Sequence, residues 1–197
     1  MHEKIDRVVS FYKFIKINDT DRIRFDIFNY LKELNILGTV LIANEGINAN
    51  MCGSSKNIEL VKSYIIGLLD LGNIHFNESM IKEKVFTKLK VKVKDEIIKA
   101  GFSATEEKVF KNKSLEPDDW DKLLGREPII IDMRNRFEYL MGTFKNSKSL
   151  DLLNFSDLNK ALKEAKDLEK ERDISIFCTG AIRSKKSSIA LDKLGLK

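Results

Sequence analysis

The residues best suited to chemistry lie near the end of the 197-residue chain, in Ile174-Ser175-Ile176-Phe177-Cys178-Thr179-Gly180-Ala181-Ile182-Arg183. The short β-branched and aromatic run reads as a buried strand, and a cysteine stands where that strand ends. A tight turn follows, and residues 184–194 read as a helix. The thiol is therefore expected in a loop that enters a helix N-terminus. Unpaired backbone N–H groups and the positive end of the helix dipole converge there. Both favour the thiolate, the nucleophilic form of cysteine, and Arg183 adds a fixed positive charge five residues on. The expected chemistry is nucleophilic. On position alone, the competing reading is a small buried hydrophobe.

Other groups narrow the choice. His2, Cys52, His75 and Cys178 have no metal-site spacing, so a zinc site is not expected. Neither histidine falls in the part of the chain that holds Cys178, which counts against a cysteine hydrolase with a histidine base. Asp132 and Arg134 stand at the carboxyl end of an apolar strand, the edge where α/β sheets place ligands. A pair of opposite charges tying loops together is one reading of them, and direct substrate contact is the other. In residues 87–94 the lysines fall at every second position. Strand side chains alternate faces, so Leu89, Val91 and Val93 would face a core while Lys88, Lys90, Lys92 and Lys94 form a ladder on the other side. Such a ladder suits a solvated edge strand that resists edge pairing. It equally suits a stripe that tracks nucleic-acid phosphates without reading sequence.

The elements that must position these groups fall into two sets. Residues 8–17 have strand composition, and Asn18-Asp19-Thr20 reads as a helix cap. Ile23, Ile27, Leu31 and Leu34 then mark one apolar helical stripe. Residues 38–43 and 47–52 form a predicted hairpin around Asn44-Glu45-Gly46, where Glu45, Gly46 and Asn48 read as turn chemistry. Ile58, Val61, Ile65 and Leu68 mark a second helix, and residues 86–98 a long fourth strand. That order is the split βαβ pattern of a ferredoxin-like (acylphosphatase-like) α+β domain, with two helices on one face of a four-stranded antiparallel sheet. Residues 101–116 lack periodicity and read as a linker. Beyond it come a short helix from Pro117, a buried parallel strand at 128–132, a helix marked by Leu158, Leu162, Ala165 and Leu168, and the strand before Cys178. This alternation reads as an α/β domain over 117–197.

Specific strings add a resemblance. The Cys178–Arg183 spacing resembles the C-x-x-G-x-R active-site loop of rhodanese-like domains, in which the cysteine carries a persulfide. CTGAIRSKK resembles the CTGGIRCEK string of the tRNA uridine hydroxylase family, whose members contain such a domain and act on the wobble uridine. The segment from Asp132 through Glu138-Tyr139 to Gly142-Thr143-Phe144 is similar to the rhodanese DxRxxxEYxxGHFxxA segment. GTVLIANEGIN (38–48) and FTKLKVK (86–92) are similar to two strings of the family's amino-terminal half. Ala181 stands at the glycine position of the loop, Ser184 at the family's second cysteine, and Thr143 at the histidine. The resemblance implies an amino-terminal domain (1–100) that binds RNA. It also implies a rhodanese-like domain (117–197) lacking its last strand, with an open sheet able to self-associate. By the same resemblance Cys178 is catalytic, in a loop of Thr179, Gly180, Ala181, Ile182 and Arg183, supported by Asp132 and Arg134. The resemblance also implies tRNA as substrate and dioxygen as co-substrate, with no cofactor evident.

Composition sets outer bounds. A hydrophobic fraction of 43% with 2 prolines and 10 glycines suits packed domains. Two distant cysteines argue against a disulfide framework and fit a reducing cytoplasm. The start, MHEKIDRVVSFYKF, has no apolar signal-peptide core, and no run approaches a membrane span. Residues 82–113 hold ten lysines and five acids, an excess equal to the chain's whole net charge of +5. A polyanionic partner fits that concentration. Three functional readings stand: C5 hydroxylation of the wobble uridine, which the family resemblance implies; persulfide sulfur transfer by Cys178, which the loop chemistry supports; or an inactive RNA-binding remnant.

Overall fold

A computed structural model describes residues 7–83, 85–110, 114–164 and 173–196. The chain forms two compact units, Met1–Ile97 and Ile98–Lys197. No helix among the described residues is long and apolar enough to cross a membrane.

The first unit runs β1 (Arg7–Phe14), α1 (Thr20–Glu33), β2 (Leu37–Ala43), β3 (Gly46–Gly53), α2 (Ser55–Leu69), β4 (Asn77–Met80) and β5 (Leu89–Val93). The helix starts follow their caps. The Asp19 carboxylate accepts the Arg22 N–H at 3.0 Å, and Ser54 Oγ accepts the Asn57 N–H at 3.3 Å. Alternation in β1 to β3 puts Val9, Phe11, Val40, Ile42, Ala49 and Met51 on the buried face. There they meet Ile27 and Leu31 of α1 and Ile58, Val61 and Ile65 of α2. Each such aliphatic side chain removed from water contributes about 1.5–3 kcal/mol.

The sheet order is β4-β1-β3-β2-β5, which corrects the expected four-stranded antiparallel arrangement. The fourth strand of the split pattern is Asn77–Met80, antiparallel to β1. Every residue of that strand is exposed, so it carries no buried alternation by which to be recognised. The lysine-bearing segment is a fifth strand, shorter than residues 86–98. It pairs parallel to β2 at the opposite edge. Pairing continues just beyond its ends, where the Gly38 N–H donates to Lys88 O at 3.0 Å and the Lys94 N–H to Ile42 O at 2.8 Å.

The Glu45–Asn48 hairpin does more than turn the chain. Buried Glu45 accepts the Ile97 N–H at 2.9 Å, and Asn48 Nδ2 donates to Ile97 O at 3.1 Å. The two side chains thereby hold one backbone unit. Gly46 has φ +148°, and a Cβ there would lie 2.1 Å from Lys13 O. Gly38 meets Asn50 O in the same way at 2.2 Å. The glycines in this string are required by close backbone approach.

The second unit runs α3 (Glu106–Phe110), α4 (Pro117–Leu124), β6 (Ile129–Asp132), α5 (Arg136–Met141), β7 (Lys148–Ser149), a 3₁₀ turn (Phe155–Asp157), α6 (Leu158–Glu164), β8 (Ile174–Phe177) and α7 (Ile182–Lys193). The segment read as a linker thus carries α3, with Ala104 and Val109 buried. Among the described residues of this unit, three strands are parallel in the order β7-β6-β8. Ile129, Ile131, Met133, Leu152, Leu158, Leu162 and Leu191 form the core. Ala165 and Leu168, expected to continue α6, lie outside the described residues, as do residues 1–6 of the expected leaderless start.

Candidate functional site

Parallel pairing brings the carboxyl ends of β6 and β8 to one edge, Asp132 opposite Phe177. The Met133 N–H donates to Phe177 O at 3.0 Å and ties the two exits together. Cys178 follows directly and is half-buried, whereas Cys52 is fully buried in β3.

The loop after Cys178 is tight. The Ile182 N–H donates to Gly180 O at 2.8 Å, and the Lys185 N–H donates to Ala181 O at 2.9 Å to open α7. Ala181 caps that helix with φ 62° and ψ −21°, a left-handed conformation that glycine adopts without strain. Ser184 Oγ donates to Ala181 O at 3.0 Å and lies 3.5 Å from Cys178 Sγ. A hydroxyl has one proton, so Ser184 either caps the Ala181 carbonyl or turns that proton to a thiolate.

Arg183 belongs to a network whose centre is Glu138 on α5. Its Nη1 donates to Glu138 Oε2 at 2.5 Å and its Nη2 to Oε1 at 2.8 Å. The Thr179 hydroxyl donates to the same Oε1 at 2.8 Å, and the Asn135 N–H to Oε2 at 3.1 Å. The carboxylate thus holds both ends of the cysteine loop. The Arg183 donors, helped by Thr179 and Asn135 and opposed by burial, lower the Glu138 pKa to about 2. Arg183 is raised above its ordinary value, foremost by Glu138 against the pull of burial, with Cys178 adding to the rise.

Asp132 and Arg134 form a second clamp beside the first. Arg134 Nη2 donates to Asp132 Oδ2 and to Gly142 O, each at 2.6 Å, and its Nε to Oδ1 at 2.9 Å. The Thr143 hydroxyl donates to Asp132 Oδ2 at 2.9 Å. Burial opposes ionisation of Asp132, but these donors outweigh it and hold the carboxyl below its ordinary value. The pair fixes the segment after α5, which lies beside the cysteine loop. Two clefts flank Cys178. One, of about 440 Å³, runs along β8, Trp120 and α7; the other, of about 360 Å³, lies between Arg134, Phe144, Phe177 and Thr179.

Cys178, the loop from Thr179 to Arg183, Asp132 and Arg134 therefore share one edge of one sheet. Lys88, Lys90, Lys92 and Lys94 lie in the other unit, all exposed, while Val91 is buried and Leu89 and Val93 half-buried. Sequence reasoning gave Arg183 a charge without its counter-ion. Glu138 was visible only as part of the string around Tyr139, because its partners lie 41 and 45 residues further on.

Residues 7–97 match the family of the UPF0176 acylphosphatase like domain, and residues 116–197 that of the rhodanese-like domain. The tRNA uridine(34) hydroxylase of Pelagibacter ubique (strain HTCC1062) is 37% identical over 192 residues, 96% of this chain and 62% of that protein. The tRNA uridine(34) hydroxylase of Legionella pneumophila (strain Corby) is 31% identical over 96% of this chain and 75% of its own length. A solved acylphosphatase from Coxiella burnetii aligns in full with 47% of this chain, at 15% identity and a TM-score of 0.35.

Proposed function

The chain belongs to the tRNA uridine(34) hydroxylase family, and from that premise we propose that it hydroxylates C5 of the wobble uridine of tRNA. The C5–H bond becomes C5–OH, with one atom of dioxygen entering the ring. The other leaves as water, which requires two electrons from an external reductant. Cys178 is the reactive thiol. The observation that carries this assignment is the half-buried Cys178, held at the carboxyl edge of a parallel sheet by a loop whose two ends converge on Glu138. That arrangement presents sulfur to a cleft without leaving it to bulk solvent. The exposed lysines along β5 support phosphate contacts by the first unit.

A second reading, sulfur transfer through a Cys178 persulfide, is favoured by the open space on both sides of the thiol, which leaves room for an outer sulfur. Mass spectrometry of nucleosides in tRNA from cells lacking the gene separates the two. Loss of 5-hydroxyuridine is expected. Loss of a thiolated nucleoside instead would replace hydroxylation by sulfur transfer, and an unchanged profile would leave only an inactive RNA-binding role.

A further inference from the structure

The smaller cleft beside Cys178 combines three features. Phe144 is 44% exposed, although its ring is fixed edge-on to Phe177 with centroids 4.8 Å apart and backed by Trp120 at 5.4 Å. A held aromatic ring that is open to water is a stacking platform. Arg134 uses Nε and Nη2 on Asp132 and Gly142, while its Nη1 donates to no group among the described residues. A guanidinium carries five N–H donors, so this one has directed donors left over. The thiol closes the third side. At about 360 Å³ the cleft is at the lower end of small-molecule sites, roughly 300–1,000 Å³.

We propose that this cleft holds the uracil base of an extruded nucleotide, stacked on Phe144, with Arg134 Nη1 donating to the C4 carbonyl oxygen. The proposal rests on the reading of tRNA as substrate. A base must leave the stack before its ring can reach a protein thiol. Both pyrimidines carry a carbonyl acceptor at C2, but at C4 uracil presents a carbonyl acceptor and cytosine an amino donor. Facing Arg134 Nη1, the C4 amino group of cytosine sets donor against donor and leaves the arginine N–H unpaired, so the site selects uridine. Phe144 contacts the base, and Arg134 determines which pyrimidine is accepted.

The test uses the full chain and fluorescent anticodon stem-loops carrying uridine, cytidine or an abasic residue at the wobble position. Anisotropy gives their affinities, and alkylation by iodoacetamide reads the shielding of Cys178. The uridine loop should bind about tenfold tighter than the abasic loop and shield Cys178. The cytidine loop should do neither. Phe144→Leu, which keeps apolar bulk without a π face, should erase the difference between uridine and abasic loops, and Phe144→Tyr should keep it. Trp120 fluorescence verifies that each variant is folded. Three loops bound equally, or a Phe144→Leu variant that keeps the uridine preference, would overturn this site while RNA binding stands. A chain that binds none of the loops would overturn the reading of tRNA as substrate itself.

Discussion

Glu138→Gln removes the charge that holds the cysteine loop while keeping its shape. The carboxylate and Arg183 are both largely enclosed, with side-chain exposures of 18% and 13%. A carboxyl held at about 2 instead of 4.5 corresponds to on the order of 3 kcal/mol of folding stability. Solvent at the rim of the pair reduces this to about 1–2 kcal/mol. The folded pKa is depressed, so the contribution is complete above the unfolded value of 4.5 and is lost as pH falls through about 2. Urea unfolding followed by Trp120, the chain's only tryptophan, reports on the second unit. At pH 7 the variant should be less stable than the unaltered protein by about 1–2 kcal/mol, and by pH 3 that gap should fall to roughly half or less. Asp132, whose carboxyl is also held below its ordinary value, is common to both proteins, so it cancels in the difference. A gap unchanged between pH 7 and pH 3 would show that Glu138 acts through packing, and the electrostatic clamp would be wrong.

Ala181→Gly relieves a left-handed alanine and should stabilise the second unit by about 1 kcal/mol, measured in the same urea titration; a destabilised variant would contradict the strain. Changing Lys88, Lys90, Lys92 and Lys94 together to Gln should weaken tRNA binding and flatten its salt dependence, with an unchanged slope excluding the phosphate stripe. Folding stability should barely move, because exposed charges contribute about 0–1 kcal/mol each. Iodoacetamide near neutral pH should alkylate half-buried Cys178 far faster than buried Cys52, as peptide mass spectrometry would show; equal rates would remove Cys178 from the mechanism.

Much of this was legible because local pattern and burial agree. Alternation along Arg7–Phe14 and the helical stripe of Ile27 and Leu31 each carry a buried face. Asn77–Met80 escaped because an edge strand exposed on both faces has no alternation to read, and its pairing with β1 is set by tertiary context. That displacement moved the lysine strand from fourth to fifth and from antiparallel to parallel. At the site, the loop from Cys178 to Arg183 could be read by spacing. The clamp on Glu138 could not, since α5 has only 6 residues and contributes no periodicity of its own. Phe144 likewise follows a strand-free segment, and only the fold sets it against Phe177.

The central claim is that Cys178 performs chemistry on the wobble uridine, and complementation tests it most directly. Cells lacking the gene receive either the unaltered chain or Cys178→Ser, and 5-hydroxyuridine in their tRNA is quantified by mass spectrometry. The account predicts restoration by the unaltered chain and none by a Cys178→Ser chain present at equal level. Equal restoration by both would contradict it.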